Sequence, residues 1–188
     1  MIRRALPLSI LVAVQLAHLL VARLGLADER EFSFQRGPIR RELARIAAPA
    51  EGEREQEFRE QRLHRYAWAI ADAAEAHPGP AGRRAMVAAL LAVGEHESHF
   101  AEGVCETFDG SRPAVGCWQW ERSRKEPAPR NVEEAARLAA RDLARHWRRE
   151  TGFGCAVTRY ATGRAACDPA WSGTHKRVKS YTRILGRI

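Results

Sequence analysis

Between Ala85 and Val93 nine consecutive residues, Ala-Met-Val-Ala-Ala-Leu-Leu-Ala-Val, carry no polar side chain. Alanine, leucine and methionine favour the helix, and a helix apolar on every side has no face to offer to water. It must be enclosed, so the rest of the chain has to surround it with amphipathic partners. A chain of 188 residues, 45% hydrophobic and 29% charged, suffices for one such domain and leaves little room for two. The same composition excludes wholesale disorder. Only Ala5 to Ala22 is both long and uncharged, which excludes a multi-span membrane protein.

The partners are legible as helices. Gln56 to His77 has helical periodicity and ends at His77-Pro78-Gly79-Pro80. The central helix extends from about Ala81 to Phe100. A turn-rich segment, Ala101 to Arg130, follows, with an exposed loop over Ser123 to Pro129. Asn131 caps the next helix, Glu134 completes a capping-box spacing, and Arg145, His146, Arg148 and Arg149 crowd its last turn. Its apolar face is Val132, Ala136, Ala139, Leu143 and Trp147. A short helix, Gly154 to Thr162, sets Phe153, Val157 and Tyr160 on one side and stops at Gly163. A last helix, Lys176 to Ile188, repeats Val178, Tyr181, Leu185 and Ile188. Trp147 and Trp171 read as packing residues. Residues 28–53, polar and rich in Arg and Glu, read as a linker with one short helix. No strand-period run and no internal repeat occurs, so the expected fold class is mainly α.

The central helix also carries the candidate catalytic group. Met86, Leu90, Val93, Glu97 and Phe100 recur at spacings of 4, 3, 4 and 3 and share one face. A carboxylate that continues a buried stripe near a helix C-terminus is disfavoured by desolvation and by the helix dipole. Both favour the protonated form that a general acid needs. The bland alternative is a helix-end carboxylate that reaches solvent and pairs with His96 or an arginine. Glu95 lies in the row Arg84, Ala88, Leu91, Glu95, His99 and is expected to be solvated. His96-Glu97-Ser98-His99 is not a zinc-protease pattern, because its histidines stand at i and i+3 with no third ligand indicated.

The N-terminus reads as an export signal: basic Arg3-Arg4, the apolar run, then Gly25-Leu26-Ala27 before Asp28. The alternative is an uncleaved membrane anchor, weakened by Pro7, Gln15 and His18. Removing residues 1–27 takes away Arg3, Arg4 and Arg23 and no acid, so the net charge of +8 becomes +5. An exported chain can keep disulfides, and the cysteines are even in number: Cys105, Cys117, Cys155 and Cys167. Two local pairs, Cys105 with Cys117 and Cys155 with Cys167, are the choice among three connectivities. Their spacing does not suit a zinc knuckle.

Glu97-Ser98-His99-Phe100, after its apolar run, resembles the E-S-x-F motif of lytic transglycosylases with the lysozyme-like fold. Other motifs of that family recur in order. Gly116-Cys117-Trp118-Gln119 is similar to its G-L-M-Q motif, and Asn131-Val132 with the Ala135–Leu143 helix is similar to its N-I-x-x-G-x-x-Y-L helix. Arg159-Tyr160-Ala161-Thr162-Gly163 resembles A-Y-N-x-G, and Arg177 to Leu185 resembles the closing Y-V-x-x-V helix. The likeness covers roughly residues 84–188, within an expected catalytic domain of 54–188. Ala161 replaces the motif Asn, Cys117-Trp118 replace Leu-Met, and the cysteines are an addition.

The resemblance implies a goose-type-lysozyme-like fold and, as substrate, the peptidoglycan glycan strand, cut between N-acetylmuramic acid and N-acetylglucosamine with a 1,6-anhydro end. It implies Glu97 as sole acid and base, with no metal and no organic cofactor. It further implies Tyr160 as a hydrogen-bond partner of Glu97, Gln119 as a sugar contact and Ser98 as a support of the carboxylate. Trp118 or Trp120 would stack on a sugar, the other packing as a lid. The expected location is the periplasm or cell wall, with membrane contact only through an uncleaved leader and, as a further partner, machinery that spans the wall. Ordinary glycosidases use two carboxylates, and Glu106, Asp109 and Glu121 are the nearest further acids, each expected in solvated loop. Were one of them to face Glu97, a hydrolytic lysozyme or endolysin would fit better. A non-catalytic wall-binding or secretion-apparatus subunit is the alternative from another class. Nucleic-acid binding fits poorly: 28 of the 31 basic residues are Arg, in dispersed pairs such as Arg40-Arg41, Arg83-Arg84 and Arg148-Arg149 without aromatic interleaving.

Overall fold

A computed structural model describes residues 36–47, 49, 52–109, 113–121, 127–148, 150, 152–163 and 172–188. Seven helices lie among them: α1 (residues 36–46), α2 (Glu53–Ala76), α3 (Arg83–Glu97), α4 (Glu102–Cys105), α5 (Val132–His146), α6 (Gly152–Thr162) and α7 (Ser172–Leu185). Two strands of two residues each, β1 (Ala114–Val115) and β2 (Trp120–Glu121), complete the described elements. The protein is mainly helical. The expected leader, residues 1–27, lies outside the described residues. No helix among the described residues is long and apolar enough to cross a membrane.

Helix α3 is the central element that its composition demands. It is buried from Ala85 through Gly94 and packs against α2, α5 and α7. Met86, Leu90 and Leu91 are fully buried, each stabilising the fold by roughly 1.5–3 kcal/mol relative to an exposed side chain. α2 lies along α5, where Asp72 accepts two bonds from Arg137, at 2.9 and 2.7 Å. At the far side Trp147, Phe153 and Tyr181 stack together, with ring centroids 4.4 to 5.8 Å apart, and join the end of α5 to α6 and α7.

Three local differences from the sequence expectation have physical causes. The segment 28–53 is not simply linker: α1 buries Ile39, Leu43 and Ile46 in the common core. Its stripe is short and flanked by arginines, which masks it in an average over composition. Buried Glu42 is matched by Arg45 at 3.1 Å and by Arg187, beyond α7, at 3.3 Å. The turn-rich segment contains an antiparallel hairpin, Ala114 opposite Glu121 and Val115 opposite Trp120. Two-residue strands are too short to show an alternating period. At α5 the Asn131 side chain accepts from the Glu134 N–H at 2.8 Å, as expected of a cap. Glu134 does not return to Asn131, however, but takes the Arg130 N–H and guanidinium at 2.9 and 2.8 Å.

Candidate active site

The C-terminal end of α3 is closed by its own side chains. Ser98 Oγ donates to the Gly94 carbonyl at 3.1 Å and accepts from the Phe100 N–H at 3.0 Å. His99 and Phe100 then adopt left-handed backbone, with φ of 50° and 51°. For residues other than glycine that conformation costs on the order of 1 kcal/mol each, and such residues cluster at functional sites. The reversal folds the Phe100 ring onto the helix it has just left. A Cβ on Gly94 would lie 2.3 Å from that ring, so this position admits only glycine unless the ring moves. Phe100 meets Trp118 edge to face at 6.1 Å and Tyr66 at 6.3 Å. Ser98, expected to hold the Glu97 carboxylate, therefore braces the turn that follows it.

Glu97 itself faces a cation. Arg177 of α7 donates to Glu97 Oε1 at 2.5 Å, and the two side chains are 11% and 19% exposed. The apolar surround expected around the carboxylate is replaced by a guanidinium. Two residues earlier, Glu95 takes two bonds from Arg183 at 2.8 and 2.6 Å and is 16% exposed. Glu95 is thus as covered as Glu97 and not solvated. Between them His96 reaches Ser180 at 3.0 Å. Burial, and after it the neighbouring Arg177, holds the His96 imidazole below its ordinary value. Acids in the last turn of a helix oppose its dipole, and the arginines of α7 offset that repulsion. Pairing of Glu97 with an arginine is the alternative that the sequence offered; its identity as Arg177, and the pair of Glu95 with Arg183, were not anticipated. The available signal was that a covered glutamate requires a cation, and the closing helix has several cations and no acid.

The second part of the site is the turn Gly116–Gln119. Gly116 has φ of 72°, and its missing Cβ would lie 3.0 Å from Ala135 of α5. Gln119, at φ 49°, closes the turn with its N–H on the Gly116 carbonyl at 3.1 Å, and its side-chain amide donates to the same oxygen at 2.9 Å. Cys117 is bonded to Cys105 of α4. Trp118 Nε1 donates to the Leu90 carbonyl of α3 at 2.9 Å, and Tyr160 OH of α6 donates to the Trp118 carbonyl at 2.7 Å. Tyr160 therefore holds the turn, where a bond to Glu97 was expected. Trp118 and Trp120 are 1% and 2% exposed, so neither presents a ring for stacking on a sugar as the protein stands. Cys155 is disulfide-bonded too, while its expected partner Cys167, like Trp171, lies outside the described residues.

Of the further acids, Asp109 and Glu121 are exposed. Glu106 is half-buried and receives Tyr66 OH at 2.6 Å as well as the Arg65 guanidinium. Burial, together with Glu106, pushes the Tyr66 phenol well above its usual range. Arg65 and Glu106 border a cleft of about 420 Å³ with Thr107, Phe108, Asp109, Arg130 and Asn131; Glu97 is not in its lining. No group of three or more metal-ligating side chains occurs among the described residues.

Fold and site together define a mainly helical protein with a buried central helix, an arginine-paired glutamate at its end, and a disulfide-anchored turn beside it. Comparison with protein-family models, curated proteins and solved structures finds no match.

Proposed function

We propose that this protein is an exported, lysozyme-like lytic transglycosylase that cleaves the glycan strand of peptidoglycan, with Glu97 as general acid and base. One observation supports this: segments far apart in sequence that resemble the family's motifs are tied to a single helix, α3. Glu97, Ser98 and Phe100 close α3, Trp118 binds the Leu90 carbonyl of the same helix, Tyr160 binds the Trp118 carbonyl, and Arg177 reaches Glu97. Three left-handed non-glycine residues, His99, Phe100 and Gln119, lie in these two turns.

The chemistry balances on one carboxyl group. Protonated Glu97 gives its proton to the glycosidic oxygen, which leaves as the 4-hydroxyl of N-acetylglucosamine. The carboxylate then takes the proton of the C6 hydroxyl of the same muramic acid, whose oxygen closes on C1. Glu97 ends protonated again and no water is consumed. The attacking hydroxyl is tethered to the reacting ring, an effective-concentration advantage over solvent. No second carboxylate is required, unlike hydrolysis by an acid pair.

A second reading has an observation of its own. Two Glu–Arg pairs side by side, Glu95 with Arg183 and Glu97 with Arg177, are also what a purely structural clamp between α3 and α7 would use. A wall-binding subunit without activity would keep both. Release of soluble glycan fragments from purified peptidoglycan separates the two. Loss of release in Glu97→Gln, with folding intact, supports catalysis, whereas no release by the wild type supports the clamp.

A further inference from the structure

One face of α7 is lined with cations. Lys176, Lys179 and Arg183 recur at spacings of 3 and 4 and share a side of the helix over about 10 Å; Arg187 continues the row just beyond it. α7 has no acid of its own. Arg183 is committed to Glu95, and Arg187 shares buried Glu42 with Arg45, so that end carries positive charge in excess. Arg84 adds to it from the start of α3, donating to the Leu185 carbonyl at 3.0 Å. Lys176 and Lys179 are exposed, and neither has an ion pair among the described residues. The row begins beside the candidate acid, because Lys176 precedes Arg177, whose guanidinium is on Glu97.

The chemistry of the face selects its partner. The apolar residues of α7 are turned inward: Ile184 is buried, and Val178, Tyr181 and Leu185 pack against the core. The exposed large apolar side chains among the described residues, Phe58 and Trp68, are on α2. A helix that lies in a membrane interface needs a free apolar face, and α7 has none to give. It offers exposed cations alone, the complement of a hydrated polymer with spaced anionic groups. Peptidoglycan is such a polymer, since its stem peptides carry free carboxylates along the strand. We propose that the outer face of α7 docks the stem-peptide carboxylates of peptidoglycan and so seats the strand against the end of α3 that carries Glu97. This rests on the function proposed above and adds to it a contact with the peptides, apart from the sugars. Lys176 and Lys179 are attachment points and do not act on the reacting atoms.

Co-sedimentation with purified insoluble peptidoglycan tests it, in a Glu97→Gln background so that the polymer is not consumed. Adding Lys176→Glu with Lys179→Glu is expected to raise Kd about tenfold at low salt, and the difference should shrink in about 0.5 M NaCl as exposed charges are screened. Lys176→Ala with Lys179→Ala should give a smaller rise. Arg54→Glu with Arg130→Glu, the same change of charge on α2 and ahead of α5, should change Kd by less than about twofold. Peptidoglycan whose carboxylates have been converted to methyl amides should bind the Glu97→Gln protein as weakly as untreated polymer binds the reversed lysine pair. Melting curves report folding, and the alanine pair serves if the reversed pair does not fold. An unchanged Kd in the lysine pairs, an equal loss in the arginine pair, undiminished binding of the amidated polymer, or no binding of peptidoglycan would each overturn the docking face. Tighter, lysine-dependent binding to phosphatidylglycerol vesicles than to peptidoglycan would overturn it in favour of a lipid surface. Fragment release by the wild type is a separate readout. Lysine-dependent binding without release upholds the docking face and refutes the cleavage, whereas release without lysine-dependent binding does the reverse.

Discussion

Gly94→Ala isolates the packing that shapes the end of α3. In an open helix interior the change is favourable by about 1 kcal/mol, because alanine is the better helix former. Here the added methyl would stand 2.3, 2.8 and 2.9 Å from three atoms of the Phe100 ring, well inside contact. That ring is 3% exposed and wedged against Tyr66 and Trp118, so it cannot swing aside without leaving the core. Overpacking of this kind costs about 1–3 kcal/mol, and expelling a buried Phe outright costs about 3–5 kcal/mol. Because the ring has no room to adjust in place, the second figure applies, and less the gain in propensity a net loss of roughly 2–4 kcal/mol is expected, a fall in Tm of about 4–16 °C for a domain of this size. Gly103→Ala is the control. Nothing lies within 4 Å of its Cβ position, and Gly103 is itself exposed, so the change should raise stability by about 0.5–1 kcal/mol. Both are read by circular dichroism melts. A Gly94→Ala protein that melts at or above wild type would refute the close approach of Phe100 and, with it, the geometry of the turn after Glu97.

Three further outcomes are expected. Tyr160→Phe leaves the buried Trp118 carbonyl without its 2.7 Å donor and should cost roughly 1–3 kcal/mol in urea unfolding; a change under about 0.3 kcal/mol would contradict the bond. Replacing Cys105 and Cys117 together by alanine opens a closure of 12 residues and should cost on the order of 3 kcal/mol, whereas an unchanged denaturation midpoint would argue against the staple. His96 is held below the ordinary 6.5 by burial first and Arg177 second, with Glu95, His99, Ser180 and the Lys176 backbone as its other neighbours. As pH falls through 6.5 the unfolded chain binds the proton before the folded one, so stability drops from there down to the folded value and is unaffected well above it. Urea midpoints from pH 8 to 5 should show that fall in wild type and a flatter profile in His96→Gln; identical profiles would remove His96 as its cause.

The helical scaffold was legible because its signals are periodic. The apolar run of α3, the stop at His77 to Pro80 and the Asn131 cap are each local in the chain, and each appears where its chemistry requires. The helix α1 core stripe escaped because its three apolar positions are flanked by arginines, and the two-residue strands because they are too short to show an alternating period. Glu97 stood out by its place on an apolar stripe, but its neighbour did not. Pairing with Arg177, 80 positions away, is a tertiary event that no local pattern encodes. The supporting residues show the same division. Ser98, Tyr160 and Trp118 were expected to serve the carboxylate and the sugar, yet their polar atoms are taken by the Gly94, Trp118 and Leu90 carbonyls. A buried hydroxyl or indole bonds to a carbonyl within reach, and which carbonyl that is depends on packing, not on spacing.

The function proposed above has one carboxyl group, Glu97, perform the cleavage without water. Mass analysis of glycan ends released from peptidoglycan by the oxidised wild-type protein and by Glu97→Gln tests it most directly. The wild type is expected to give 1,6-anhydromuramic ends carrying no oxygen from labelled water, and the variant none. Reducing ends that incorporate the label, or anhydro ends made equally by Glu97→Gln, would contradict it.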